Sequence, residues 1–207
     1  MKILILTGSP RSKGTTSLLA DEFAKGAKEA GHEVVRFDTG ILNIRPCIGC
    51  HHCQNNGTNK CVSDDAMTRL YPEILSADLI AFVTPVYYFG ISTQLKTAID
   101  RFFSINKKIR KFPKKAVLLA ACGDKQEWAM DPLKLHYETL CRYLRFEDMG
   151  QVLAYSCHER EDMENSKYPE MARELGRSLV EDLTLDYTFE VGKKLVEYYK
   201  LLLDVLF

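Results

Sequence analysis

Four cysteines fall within one short stretch of this 207-residue sequence: Cys47, Cys50, Cys53 and Cys61, in the spacing C-x2-C-x2-C-x7-C. Thiolates two residues apart on a compact loop can occupy neighbouring corners of an iron–sulfur cube, and the longer spacer reaches the last corner. The spacing therefore suits a [4Fe–4S] cluster. Three outcomes stay open at this point: a cluster, a zinc site that also recruits His51 or His52, or thiols that are reduced or paired and hold no metal. The other three cysteines, Cys122, Cys141 and Cys157, sit in or beside apolar runs and read as buried packing residues. Cys122 is the one of these next to a candidate ligand loop.

A second group suits a phosphate. The chain reads Thr7-Gly8-Ser9-Pro10-Arg11-Ser12-Lys13-Gly14-Thr15-Thr16-Ser17 directly after an apolar run. Gly8 and Gly14 permit tight turns, while Ser9, Thr15, Thr16 and Ser17 set hydroxyls beside the free amides of a following helix. Two rival loops are excluded by spacing: G-x-G-x-x-G is absent, and a P-loop needs Lys after its last Gly, where this chain has Thr15. A third group, Pro85-Val86-Tyr87-Tyr88-Phe89-Gly90, places three adjacent aromatics in a segment bounded by Pro and Gly. Such residues offer walls to a flat ring. Ala121-Cys122-Gly123-Asp124 closes another apolar run, with Gly123 able to admit a close backbone approach.

These groups need a scaffold that delivers successive loops to one face. Residues 2–7 lack polar alternation and read as a strand buried on both sides of a parallel sheet. Further strands are expected at 33–37, 78–84, 116–121 and 151–155. Helices are expected over the periodic stretch Leu18–Ala27, from about Ala66, from Thr93 to Phe103, from Leu133 to Leu144 and from Pro169 to Leu183. Five alternating strand–helix units are the pattern of a doubly wound α/β sheet, whose ligands sit beyond the carboxyl ends of the strands. The whole chain, 1–207, reads as one domain, with two additions: the Cys-rich loop at 39–63 and a terminal helix at 189–207. The terminal helix carries an apolar stripe suited to packing on its own domain or on a second subunit. Asp64-Asp65 reads as the cap of the helix that follows.

The pattern Gly-Ser-Pro-Arg-x-x-Gly-x-Thr after an N-terminal strand, with the Pro85–Gly90 motif, resembles the flavodoxin-like NAD(P)H-dependent FMN reductase family over Met1 to about Tyr155. The resemblance implies a flavodoxin-like five-stranded parallel sheet. It also implies that the FMN phosphate is gripped by Ser9, Arg11, Thr15, Thr16 and Ser17, and that the isoalloxazine ring lies along Pro85, Val86, Tyr87, Tyr88 and Phe89. Cys122 and Gly123 belong to the third flavin-facing loop. The cysteine motif is similar to that of the iron–sulfur flavoprotein branch, which carries a [4Fe–4S] cluster together with FMN. A seven-residue last spacer is long for that branch.

Twenty-eight basic residues balance 28 acidic ones, which removes the electrostatic footprint of a nucleic-acid or anionic-membrane binder. The N-terminal apolar run is too short for a signal peptide, and a cytoplasmic setting is expected. No nucleophile–base constellation is evident, so a bound cofactor would carry the chemistry. The expected activity is transfer of electrons from NAD(P)H through FMN to a quinone, nitro or azo compound, flavin or metal acceptor. Two alternatives are an electron carrier fed by ferredoxin through the cysteine cluster, and a zinc-stabilised binding module without flavin. The resemblance implies a homodimer or homotetramer.

Overall fold

The apolar run after Met1 forms the strand at which the order of the sheet reverses. In a computed structural model, which describes residues 1–55 and 60–180, β1 (Lys2–Thr7) lies between β2 (Glu33–Phe37) and β3 (Leu79–Tyr87). β5 (Lys115–Ala121) and β6 (Glu147–Ala154) extend the sheet in the order β2-β1-β3-β5-β6, all parallel. A short β4 (Gly90–Ile91) folds back antiparallel on the end of β3. This is the flavodoxin-like strand order, and its switch point lies between β1 and β3.

Alternate residues of each strand feed two cores. Ile3, Ile5, Ala81 and Val117 face a helical layer of α1 (Thr15–Glu29) and α8 (Tyr168–Ser178). Leu4, Leu6, Phe82 and Leu118 face α3 (Met67–Ser76), α4 (Thr93–Arg101) and α6 (Asp131–Leu144). Helices on both faces explain why the strands carry no polar alternation. Shorter helices among the described residues are α2 (His52–Asn55), α5 (Asn106–Lys111) and α7 (Arg160–Glu164).

Most strands lie where the hydrophobic pattern predicts them; β6 starts four residues early. Gly150 takes φ +135° and absorbs a register slip opposite Ala116–Leu118. Asp148 stabilises the irregularity by accepting hydrogen bonds from the Tyr137 hydroxyl (2.8 Å) and the Gly150 amide (3.0 Å). The helix predicted for Thr93–Phe103 tightens into a 3₁₀ turn at Phe102–Ile105 and then resumes as α5. The terminal helix predicted at 189–207 lies outside the described residues. Among the described residues, no helix is long and apolar enough to cross a membrane.

Two glycines set the spacing between α1 and α8. A Cβ on Gly26 would stand 1.9 Å from the Arg173 carbonyl oxygen, and one on Gly176 2.3 Å from that of Phe23. Neither obstacle is a flexible side chain, so relief requires the helices to separate. Glu29 fastens the same pair by accepting from Arg173 and Arg177, whose guanidinium groups hold its carboxyl down at about 2. Gly26→Ala is expected to destabilise the fold by about 3 kcal/mol, seen as a drop of roughly 10 °C in thermal midpoint. Ala24→Gly, on the same helix and less buried, is expected to cost only about 1 kcal/mol.

Candidate functional site

At the carboxyl end of β1, the loop Gly8–Gly14 turns into α1 without a side-chain cap: Gly14 is the N-cap residue and has no side chain to accept from the helix amides. The loop is shaped internally instead. The Arg11 amide donates to Ser9 Oγ (3.1 Å), and the Gly14 amide donates to the Arg11 carbonyl (3.1 Å). The first turn of a fifteen-residue helix therefore keeps its free amides, at Thr15 to Ser17, for an anion. Thr16 and Ser17 are buried, and Ser17 Oγ accepts from Arg36 Nη2 (3.1 Å) while keeping its own O–H to donate. Arg11 is exposed, with no side-chain partner among the described residues.

One buried serine joins this loop to the aromatic segment. Ser92 Oγ donates to the Gly8 carbonyl (2.9 Å) and accepts from the Leu95 amide (3.4 Å) as the cap of α4. Its own amide donates to Thr84 Oγ1 (2.9 Å), at the end of β3. Between Thr84 and Ser92 the Pro85–Gly90 segment is a hairpin, not an irregular loop: Val86 pairs with Ile91 and Tyr87 with Gly90. Tyr88 and Phe89 form its two-residue turn with φ of +46° and +64°. Positive φ at two successive aromatic residues is costly, and such strain gathers at ligand sites. Tyr88 is fully exposed, and Phe89 leans on Trp128, whose ring centre is 5.3 Å away and which is itself 56% exposed.

The third loop leaves β5 at Cys122. This thiol is buried, directed at the Asp124 carbonyl (3.3 Å), and pushed above its ordinary pKa by burial. It is a protonated packing residue. The space beside Gly123 is filled by His158, whose Cδ2 would lie 2.9 Å from a Cβ there. The connection after β6 is tied to the same loop, with the Ser156 amide donating to the Asp124 carbonyl and the Cys157 amide to that of Cys122 (both 2.9 Å).

The cysteine loop hangs on a buried ion pair. Arg101 and Asp65 side chains are each 1% exposed and joined by Nη1–Oδ2 (2.7 Å) and Nη2–Oδ1 (3.2 Å) contacts. Arg101 also donates to the Arg45 carbonyl (2.7 Å) before the cysteines and the Ser63 carbonyl (3.3 Å) after them. Asp65 stands one residue before Ala66, the N-cap of α3, where its side chain accepts from the Met67 amide (3.0 Å) and also from the Arg45 amide (3.0 Å). Burial opposes ionisation of Asp65, but Arg101 and these amides outweigh it and hold the carboxyl below its ordinary value.

The middle of the loop docks at the far end of α4: His51 meets Phe103 edge to face, and Gln54 Nε2 donates to the Phe103 carbonyl (2.6 Å). Helical rise puts Phe103 roughly 16 Å from Ser92. The start of the loop is tied to the end of β1, where the Gly40 amide donates to the Thr7 carbonyl (3.0 Å). Cys47 and Cys50 are exposed, Cys53 is buried and Cys61 half-buried, all free thiols. Among the described residues, no three His, Cys, Asp or Glu side chains are grouped to hold a metal ion. The donor set suits a cluster in kind but is not gathered around one.

Residues 1–155 match the family described as NADPH-dependent FMN reductase. The chain belongs to that family. Over 101 residues it is 37% identical to an iron–sulfur flavoprotein of Methanocaldococcus jannaschii, covering 49% of this chain and 51% of that protein. It is also 30% identical over 161 residues to a Bacillus subtilis protein provisionally named an NAD(P)H-dependent FMN-containing oxidoreductase, covering 74% of this chain and 84% of that one. The chain spans about half the length of the iron–sulfur flavoproteins it matches. In fold it is similar to an NAD(P)H:quinone oxidoreductase from Methanothermobacter marburgensis, with TM-score 0.69, 19% identity, and 87% and 96% of the two chains covered.

Several residues around the family's flavin loops escape a reading of motifs. Ser92 carries a readable signal, a capping residue just before a helical pattern. Trp128, the chain's single tryptophan, follows the third loop closely enough to merit notice. Arg101, His158 and Arg160 have no signal in local spacing, because only the fold brings them to their partners.

Two outcomes follow for this reductase-family chain. Ser92→Ala removes a cap and a buried tie to the phosphate loop. It is expected to cost about 2 kcal/mol and to weaken FMN retention, measured by thermal unfolding and by flavin released on dialysis. Asp65→Asn leaves Arg101 buried without its counter-charge and is expected to cost about 3–5 kcal/mol at neutral pH. Because folding lowers the Asp65 pKa, its stabilisation is complete above the usual carboxylate range and fades as pH falls through the folded value. The gap between wild type and Asp65→Asn should therefore narrow with acidification in a pH series of denaturant unfolding.

Proposed function

We propose that this chain is an FMN-dependent oxidoreductase that takes electrons from NAD(P)H and delivers them to a small acceptor such as a quinone, nitro or azo compound, flavin or metal ion. The observation that carries this reading is the meeting, at the β1/β3 switch point, of an uncapped helix start and an exposed aromatic hairpin fastened together by Ser92. Uncapped amides suit a phosphate dianion, and exposed aromatic surface suits a flat ring, so the residues fit FMN.

In this proposal Ser9, Arg11, Thr15, Thr16 and Ser17 hold the phosphate. Pro85 to Phe89 flank the ring, and the Cys122-Gly123 backbone edges it. FMN, when bound, supplies the redox chemistry of hydride acceptance and electron release. The protein contributes position and exclusion: the strained turn at Tyr88-Phe89 presents its aromatic faces, and Trp128 shields the mouth beside Phe89. No side-chain acid or base is required. The NADPH dependence by which the family is known and the provisional name of the Bacillus subtilis relative support the nicotinamide donor. The proposal includes assembly as a homodimer or homotetramer, which light scattering would measure.

A second reading adds a [4Fe–4S] cluster on Cys47, Cys50, Cys53 and Cys61 and a ferredoxin as electron partner. It is supported by the 37% identity to an iron–sulfur flavoprotein. Purification without oxygen, with an absorption spectrum and iron and sulfide assays on one sample, separates the readings. Flavin bands, little iron and oxidation of NAD(P)H are expected for the first. Broad brown absorption with about four irons and four sulfides per chain would establish the second. A colourless protein holding zinc would overturn both.

A further inference from the structure

The phosphate loop has a second face, which shares only Arg11 and Thr15 with the set assigned to FMN. Arg11, Lys13 and Gly14 line one wall of a cleft of about 360 Å³, and His158, Glu159 and Arg160 line the other. The lining reaches Thr15 but includes neither Thr16 nor Ser17, the buried hydroxyl residues that begin α1. Arg160 bridges the walls: Nη1 donates to the Lys13 carbonyl (3.4 Å), while its Nε is held by Glu164 (2.6 Å). Arg11 and Lys13 side chains have no ion pair or hydrogen bond among the described residues.

Charge and position together define what would fit. Arg11, Lys13 and Arg160 stand against Glu159 and the Glu164 that pairs with Arg160, which leaves the cleft about +1 without counting His158, and Glu159 is already engaged with His158 Nδ1 (3.1 Å). A phosphate monoester, at about −2, complements it. His158 is a wall of the cleft and also packs on Gly123, so the cleft adjoins the loop assigned to the flavin ring. A nicotinamide dinucleotide placed on the ring must send its adenosine half away from it. NADPH and NADH differ only in a phosphate on that half.

We propose that this cleft receives the 2′-phosphate of NADPH, and that Lys13 and Arg160 are the residues that select NADPH over NADH. The assignment rests on NAD(P)H being the electron donor. It uses cations outside the set assigned to FMN, apart from Arg11, which stands between the two phosphates and would be shared.

The test is a calorimetric titration of FMN-loaded protein with adenosine 2′,5′-bisphosphate and, separately, with 5′-AMP. Wild type is expected to bind the bisphosphate at least about tenfold more tightly, the effect of one or more charge-assisted hydrogen bonds. Lys13→Ala and Arg160→Gln should each remove about tenfold of that preference and leave 5′-AMP binding unchanged, with FMN still bound and Lys13→Arg restoring affinity. In turnover, the NADPH-to-NADH ratio of kcat/KM should fall in parallel, through KM. Equal binding of the two probes, or a preference untouched by both substitutions, would overturn the assignment. So would loss of FMN from the variants, since the cations would then serve the flavin phosphate. Failure of wild type to oxidise either nucleotide would overturn the donor reading, while the bisphosphate titration would still decide the cleft.

Discussion

Ser92 binds three separate pieces of chain at one dry position, and the candidate site exists only because they stay together. Its amide holds Thr84 at the end of β3, its hydroxyl holds Gly8 at the end of β1, and the same oxygen starts α4. Parallel strands deliver loops to one face but do not fix the distances between them. A fully buried hydroxyl with both its donor and its acceptor functions used does fix them, since leaving any of those partners unpaired costs free energy of its own. The phosphate loop and the aromatic hairpin are therefore tied to each other, which suits a ligand with a phosphate at one end and a flat ring at the other.

A second buried polar node has a different task. The Arg101–Asp65 pair fastens both stems of the cysteine loop to the end of α4, at the expense of desolvating two charges. Such a pair adds little net stability over apolar packing, but it defines a geometry: the stems are pinned while Cys47 and Cys50 remain exposed between them. The loop is anchored without being closed, and its cysteine portion docks by His51 and Gln54 against Phe103, just past the end of α4. The strand-end loops and the cysteine loop are thus separately supported parts of one fold.

What was legible in the sequence follows from the range of the interactions. Strands buried on both faces announce themselves as unbroken apolar runs, so the strands of the sheet could be read from residues 2–7, 78–84 and 116–121, whereas their order, and with it the switch point, depends on pairing between distant segments. The phosphate loop and the aromatic segment were legible because their chemistry is contiguous in the chain. The hairpin within Pro85–Gly90 was not, because aromatic residues at positive φ contradict the turn preferences from which hairpins are recognised. Asp65 could be read as a cap but not as an ion-pair partner, since Arg101 stands 36 positions away. His158 and Arg160 come to the phosphate loop only through the packing of α7 against α1, a contact that no local pattern encodes.

The central claim is that FMN sits on the loops at the ends of β1, β3 and β5, and Trp128 reports on that place because it is the chain's single tryptophan and lies against Phe89. Titration of flavin-free protein with FMN, followed by tryptophan emission, is the direct measurement. The account requires saturable quenching that ends at about one FMN per chain, since a flavin accepts excitation from a neighbouring indole and the fold offers one switch point. Emission that stays unchanged through the titration, or FMN that binds without affecting it, would contradict the placement of the flavin.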